Sequence, residues 1–155
     1  MMRIVSQVAA QEIAEALNLF PESLRRLLKF DVFEGDPVFA NVACYDNIAP
    51  TLNRSPRNTA HVLYPWRGWD KKTTIVLPKP IGVESTVHEL AHVLDLALDF
   101  DVNVHPVTWY AQTNRAEAFA EFVTAVLVPG YLPWDPKGQE YVAPQQWALA
   151  ALEAA

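Results

Sequence analysis

The stretch that decides the fold is VESTVHELAHVLDLAL, which occupies residues 83–98. Its apolar side chains recur every three or four positions, so that Val87, Leu90 and Leu94 fall on one helical face. Proline and glycine lie just before the stretch and none lies within it, which allows an uninterrupted helix. The sequence therefore predicts a long amphipathic helix over residues 83–98.

This helix carries the motif His88-Glu89-Leu90-Ala91-His92. Residues four apart lie one turn apart on the same helical face, so two imidazoles can bind one metal ion while the glutamate between them reaches the same side. Zinc takes histidine nitrogen as a ligand and keeps one position open for water in catalytic sites. The motif predicts His88 and His92 as ligands and Glu89 as the general base, which takes a proton from the attacking water and passes it to the leaving amine.

An ordinary helix with two unrelated histidines is the alternative interpretation. Half of the chain's four histidines would then fall by chance one turn apart around a glutamate. A metzincin-type zinc site is excluded, since it needs glycine and histidine where the chain has Asp95 and Leu98.

A second long helix is predicted over residues 114–128, and it supplies candidates for a third ligand. Glu117 and Glu121 are four apart, so Glu117 can coordinate the metal while Glu121 hydrogen-bonds the far nitrogen of a ligand histidine. Asp95 is a second candidate for that supporting role. The alternatives are a capping box of Asn114 with Glu117, and Glu121 on a solvated face.

Two further residues are candidates near the metal. His105 competes as a third ligand or lies against the substrate, although an incidental loop histidine is the simpler interpretation. Tyr110 precedes the second helix, so its hydroxyl could donate to the oxyanion that forms when water adds to a carbonyl. Packing beside Trp109 is the alternative for Tyr110.

The rest of the chain predicts an α+β fold with a small mixed sheet. We expect one domain over residues 1–155, divided as listed here: helices within 6–30, a sheet region over 37–78 with strands at 37–45, 60–64 and 73–77, and a C-terminal helix over 144–154. Peptides often bind as an added strand on a sheet edge, and the strand before the first long helix is our candidate edge, with Thr73, Thr74, Ile75 and Val76 as substrate-binding residues. An ordinary interior strand is the alternative.

Composition limits the partners. The net charge is −6 with no basic run, which disfavours nucleic acid and anionic membranes. A single cysteine, Cys44, excludes an internal disulfide and a cysteine-based zinc site. We find neither a signal peptide nor an apolar stretch near the ~20 residues that span a bilayer, which predicts a cytoplasmic location, with secretion by a non-standard route left open.

The two helical segments together resemble the family of the anthrax lethal factor catalytic domain, a group of gluzincin zinc metallopeptidases. The resemblance rests on HELAHVLD at residues 88–95 and YAQTNRAEAFAEF at residues 110–122. It implies a zincin-like domain with one zinc ion per chain, bound by His88, His92 and Glu117. It further implies that Glu89 is the base, that Tyr110 supports the transition state, and that Glu121 orients a ligand histidine.

The sequence thus predicts a zinc-dependent endopeptidase acting on a peptide or protein. One alternative is a non-catalytic zinc-binding or interaction module, which would have a closed site with His105 as fourth ligand. Another is a regulatory peptidase similar to the ImmA/IrrE type, which shares the HExxH motif and a glutamate helix ending in an apolar run and proline, as in residues 122–129. A latent form, in which residues 131–141 fold back over the cleft, is a further hypothesis.

Overall fold

The computed structural model describes residues 2–35, 60–65 and 72–131 and confirms a mixed α and β architecture. The strands are β1 (Met2–Ile4), β2 (Asp31–Glu34), β3 (His61–Leu63) and β4 (Thr74–Leu77). The helices are α1 (Gln7–Leu19), α2 (Glu22–Arg25), α3 (Val83–Ala97) and α4 (Arg115–Leu127), with a 3₁₀ helix at Tyr110–Thr113. The strand predicted at 37–45 and the helix predicted at 144–154 lie outside the described residues.

The four strands form one mixed sheet in the order β1-β2-β4-β3. Strands β1, β2 and β4 run parallel, while β3 pairs antiparallel with β4. All four residues of β4 are buried, as expected for a strand with a neighbour on each side and both faces covered. Strands β1 and β2 were not predicted, since β1 has only three residues and the four residues of β2 follow helical segments and show no strong alternation.

The predicted sheet edge is therefore wrong. Ile75 of β4 pairs with Val32 of β2 on one side and with Val62 of β3 on the other. Thr74 and Val76 are likewise matched in both registers, and the carbonyl of Thr73 accepts a hydrogen bond from the Asp31 amide at 2.8 Å. Because both sides of β4 are paired, Thr74, Ile75 and Val76 offer no free backbone to an added peptide strand, and the Thr73 carbonyl is already bonded to β2.

The backbone groups into two compact units. The first comprises Met1–Glu15 with Lys29–Val83 and contains the sheet. The second comprises Ala16–Leu28 with Glu84–Ala155 and contains α2, the 3₁₀ helix, α4 and nearly all of α3. Of the described helices, none is both long and apolar enough to cross a membrane.

The buried faces of α3 and α4 combine apolar and functional side chains. Leu90 and Leu94 of α3 are fully buried, as are Phe119 and Phe122 of α4. The same helices bury polar groups that an apolar core would exclude: Glu89, His92, Asp95, Glu121 and Thr124. Buried polar groups need partners, and the contacts of several of these residues define the site described below.

Gly82, the residue before helix α3, is held within the first unit. Gly82 immediately precedes the helix with φ of 90°, a left-handed conformation that favours glycine. Its amide donates to both carboxylate oxygens of Glu12, at 3.0 and 3.1 Å. Glu12 thus holds the residue from which α3 departs.

We predict that Glu12→Ala lowers the free energy of unfolding by about 1.5–3 kcal/mol, the usual contribution of a hydrogen bond to a charged group. Glu15→Ala is the matched control, because Glu15 is exposed on the same helix and, among the described residues, accepts a hydrogen bond from Gln11 at 3.2 Å. Its effect should stay within about 0.5 kcal/mol. Urea unfolding of both variants checks this, and equal losses would contradict the role of Glu12.

Candidate metal centre

Three side chains converge between α3 and α4 in the second unit. His88, His92 and Glu117 each offer one ligand atom, and these atoms lie within 4.8 Å of one another. The Nε2 atom of His88 lies 2.9 Å from Oε2 of Glu117, and Nε2 of His92 lies 3.1 Å from Oε1 of the same carboxylate. Among the described residues, no other histidine, cysteine, aspartate or glutamate group of this kind is found.

Helix geometry brings the two imidazoles together. His88 and His92 lie one turn apart on α3, with ring centroids 4.9 Å apart and an interplanar angle of 79°. This edge-to-face arrangement lets both Nε2 atoms face the same carboxylate. The sequence spacing predicted this pairing, since residues four apart share a face.

The separations are compatible with a bound metal ion. With metal–ligand bonds of roughly 2.0–2.1 Å, tetrahedral geometry places ligand atoms about 3.3 Å apart. The two nitrogen–oxygen separations, 2.9 and 3.1 Å, end on different oxygens of Glu117, and one ligand atom from each of the three residues lies within 4.8 Å of the others. Two imidazoles and a carboxylate form a donor set that suits first-row transition metals such as zinc.

The charges around His88 favour a cation. Burial lowers the pKa of His88, but hydrogen bonds to Glu117 and Glu121 and the charge of Glu89 outweigh burial and raise it from 6.5 to about 10. Burial also acts to raise the pKa of Glu117, yet the bonds from both histidines hold it far below its ordinary value of 4.5. Three carboxylates thus act on the imidazole pair, and their charges favour a cation there, whether a proton on His88 or a metal ion.

The N-terminus of α4 aims Glu117 at the histidines. Asn114 is the N-cap, and its Oδ1 accepts a hydrogen bond from the Glu117 amide at 2.8 Å. In a capping box the Glu117 side chain would return to the Asn114 amide. Here the carboxylate contacts the imidazoles instead, so the cap and the candidate ligand role coexist in one residue.

Glu121 lies one turn further along α4 and is buried rather than solvated. Its Oε2 atom lies 3.0 Å from Nδ1 of His88, the contact that the sequence predicted. Its Oε1 atom accepts hydrogen bonds from the Thr108 hydroxyl at 3.0 Å and the Tyr131 hydroxyl at 3.1 Å. The sequence did not predict that Thr108 contacts Glu121. Tyr131 was predicted only as the first residue of the segment 131–141 that would fold over the cleft.

Asp95 does not take the predicted supporting role. Its Oδ2 accepts a hydrogen bond from Arg115 at 2.6 Å, and no hydrogen bond joins it to a candidate ligand histidine among the described residues. Burial raises the pKa of Asp95, and the bond from Arg115 only partly offsets that. Because Arg115 begins α4, the pair ties the start of α4 to the last turn of α3, a long-range contact that sequence spacing could not reveal.

Of the remaining candidates, Tyr110 and Glu89 lie near His88, whereas His105 is not part of the group. The Tyr110 ring lies beside His88, with centroids 6.0 Å apart, and Glu89 is buried on α3 close enough for its charge to act on His88. His105 is exposed and is not part of the group that could hold a metal, which disfavours the alternative of His105 as a third or fourth ligand, while its role near the substrate stays a prediction.

Comparison with known proteins identifies no relative. No family model, curated protein or solved structure matches the chain. The likeness to the lethal-factor family therefore stays a prediction from the two sequence segments.

We predict that the purified chain binds one zinc ion and that His92→Ala weakens zinc binding by more than about 100-fold, because loss of a ligand exceeds the 10–100-fold effect of losing an outer partner. His105→Ala is the matched control, since this histidine is exposed. Competition titration against a chromophoric chelator measures both affinities. A similar loss in the two variants would contradict the site.

The metal-free chain should lose stability as the pH rises from about 6.5 to about 10. The folded-state pKa of His88 lies above its unfolded value of 6.5, so its contribution is fully present below 6.5 and disappears as the pH rises through about 10. Urea unfolding in the presence of a chelator should show this decline in the wild type and in His105→Gln, and a shallower decline in His88→Gln. Parallel pH profiles for the wild type and His88→Gln would contradict it.

Proposed function

We propose that this protein is a zinc-dependent endopeptidase that hydrolyses peptide bonds in a peptide or protein substrate. The observation that carries the proposal is the convergence of His88, His92 and Glu117, with the glutamate of the motif buried on the same helix. A mixed sheet and two helices bearing these residues are also parts of a zincin-like fold, which we propose for the chain.

Zinc is the metal we propose, because two imidazoles and a carboxylate are an established catalytic zinc set. When bound, zinc would polarise the substrate carbonyl and lower the pKa of the attacking water. The number of ligands favours this catalytic interpretation over a closed structural site. Among the described residues the group has three members, whereas a structural zinc site has four.

Glu89 is the general base in this proposal. Its carboxylate accepts a proton from water as the water oxygen bonds to the carbonyl carbon, and it returns the proton to the amine nitrogen as the carbon–nitrogen bond breaks. Its position one residue after His88, on the buried face of α3, supports this role. Glu89 would have the same role in a regulatory peptidase of the ImmA/IrrE type, the alternative that the HExxH motif and the ending of the glutamate helix suggest.

Tyr110 is the proposed donor to the oxyanion. Its ring lies beside His88 on the short 3₁₀ helix that precedes α4. A phenolic hydroxyl at that position would stabilise negative charge on the carbonyl oxygen during attack, which is worth most where water is excluded. Glu89 and Tyr110 thus divide the proton transfer and the charge stabilisation between them.

We predict that Glu89→Gln lowers the rate of peptide cleavage by about 10²–10⁴-fold, the usual contribution of general base catalysis, without loss of bound zinc. Glu22→Gln is the matched control, because its side chain is 75% exposed and pairs only with Arg26 among the described residues. Cleavage of a diverse peptide library, read by mass spectrometry beside zinc analysis, measures both properties.

Two outcomes would contradict the proposal. One is cleavage by Glu89→Gln at the wild-type rate, which would remove the general base. The other is a wild-type chain that is fully loaded with zinc and cleaves no peptide of the library, which would favour the non-catalytic zinc-binding module.

A further inference from the structure

We propose that Thr108 and Tyr131 are positioning residues, which hold the Glu121 carboxylate against His88 and so aim the Nε2 atom of His88 at the metal. The inference rests on the proposed zinc site and deepens it. Neither residue touches the candidate ligands directly in the contacts described above. Both act through Glu121, on the side of the imidazole that faces away from the metal.

The Glu121 carboxylate, on α4, contacts side chains from three other segments of the chain. It accepts hydrogen bonds from Thr108 at 3.0 Å and Tyr131 at 3.1 Å, and it lies 3.0 Å from Nδ1 of His88. These partners come from the loop before the 3₁₀ helix, from the residues after α4, and from α3. Thr108 and Glu121 are both buried, so water does not replace these contacts at low cost.

The two hydroxyls fix the plane and position of the carboxylate. Both donate to Oε1, which leaves Oε2 to the imidazole. The two oxygens of the Glu121 carboxylate are chemically equivalent, so rotating the carboxylate by half a turn gives the same arrangement. Any smaller rotation breaks at least one of its hydrogen bonds to Thr108, Tyr131 and His88. A glutamate held only by His88 would keep its rotamer freedom and would set the ring orientation loosely.

Orientation of the ring decides which nitrogen faces the metal. When His88 gives up its Nε2 proton to bind a metal, a proton on Nδ1 directed at Oε2 of Glu121 leaves the lone pair on Nε2, the atom that lies 2.9 Å from Glu117. Metal-binding histidines commonly donate their other nitrogen to a carboxylate for this reason. The hydroxyls of Thr108 and Tyr131 in turn hold the carboxylate that orients the histidine.

Each hydroxyl is itself held in place. Thr108 Oγ1 donates to Glu121 and accepts a hydrogen bond from the Ala111 amide at 3.0 Å, so it also anchors the 3₁₀ helix that carries Tyr110. Tyr131 follows a turn at Gly130, whose φ of 77° favours glycine. The Tyr131 amide donates a hydrogen bond to the carbonyl of Val128 at 3.2 Å, which holds Tyr131 close to the end of α4.

The test measures zinc affinity in variants that remove only these hydroxyls. Tyr131→Phe and Thr108→Val should each weaken zinc binding by about 10-fold, and the double variant by up to about 100-fold, the range seen for outer partners of metal ligands. Thr108→Ser should restore binding, because it keeps the hydroxyl. Zinc alone, titrated against a chromophoric chelator, is the probe.

Two control variants separate positioning from general packing. Thr124→Val alters a buried threonine on α4 whose hydroxyl donates to the Ala120 carbonyl of its own helix at 2.8 Å. Tyr64→Phe removes a tyrosine hydroxyl in the first unit. Both should bind zinc as the wild type does.

A spectroscopic readout follows the imidazole itself. In the zinc-loaded wild type, the Nδ1 proton of His88 should give a resolved, slowly exchanging proton resonance. It should shift and exchange faster in Tyr131→Phe and Thr108→Val, and it should be unchanged in Thr124→Val. A merely structural loss would not single out this proton.

The outcomes distinguish this inference from the proposed function. If the wild type binds zinc and cleaves peptides while both hydroxyl variants keep its zinc affinity and its His88 resonance, the positioning role is overturned and the peptidase proposal stands. If the wild type binds no zinc, both fail together. The inference is supported if zinc binding weakens and the His88 resonance shifts in Tyr131→Phe and Thr108→Val but not in the control variants.

Discussion

The contact on which the site depends is the Glu117 carboxylate between His88 and His92. It brings α4 to α3 at a point where three carboxylates and two imidazoles lie largely out of solvent. Burying so many ionisable groups is unfavourable unless opposite charges and hydrogen bonds compensate them. In the metal-free chain, protonated His88 supplies that compensation. A divalent cation could supply it as well, so the group of His88, His92 and Glu117 could hold a metal ion.

Around this contact, a second set of interactions keeps the two helices in register. The bond of 2.6 Å between Arg115 and Asp95 connects the first residue of α4 to the last turn of α3, and Arg115 also donates to the Val102 carbonyl at 2.9 Å. Asp95 is fully buried, so the pair cannot separate without leaving an uncompensated charge. The supporting network of Glu121 acts on the other side of His88. The positions of the candidate ligands thus depend on groups that are not themselves candidate ligands.

The sequence predicts the parts of this site that follow from helical periodicity. Four-residue spacing places His88 with His92 and Glu117 with Glu121, and these relations hold in any regular helix. The sequence could not reveal which loop residues meet those helices, so Thr108 and the pairing of Asp95 with Arg115 went unpredicted. The mistaken edge at β4 has a similar cause. A strand is an edge or not according to its partners, and its neighbour β2 lies some forty residues earlier in the chain.

The proposed site requires one metal ion between α3 and α4, and anomalous diffraction at the zinc edge from crystals of the zinc-loaded protein tests this directly. We expect one peak per chain, about 2.0–2.2 Å from Nε2 of His88, Nε2 of His92 and a carboxylate oxygen of Glu117, with a further position open to solvent. A peak elsewhere, a fourth protein ligand that closes the site, or a Glu117 side chain directed away from the imidazoles would contradict it.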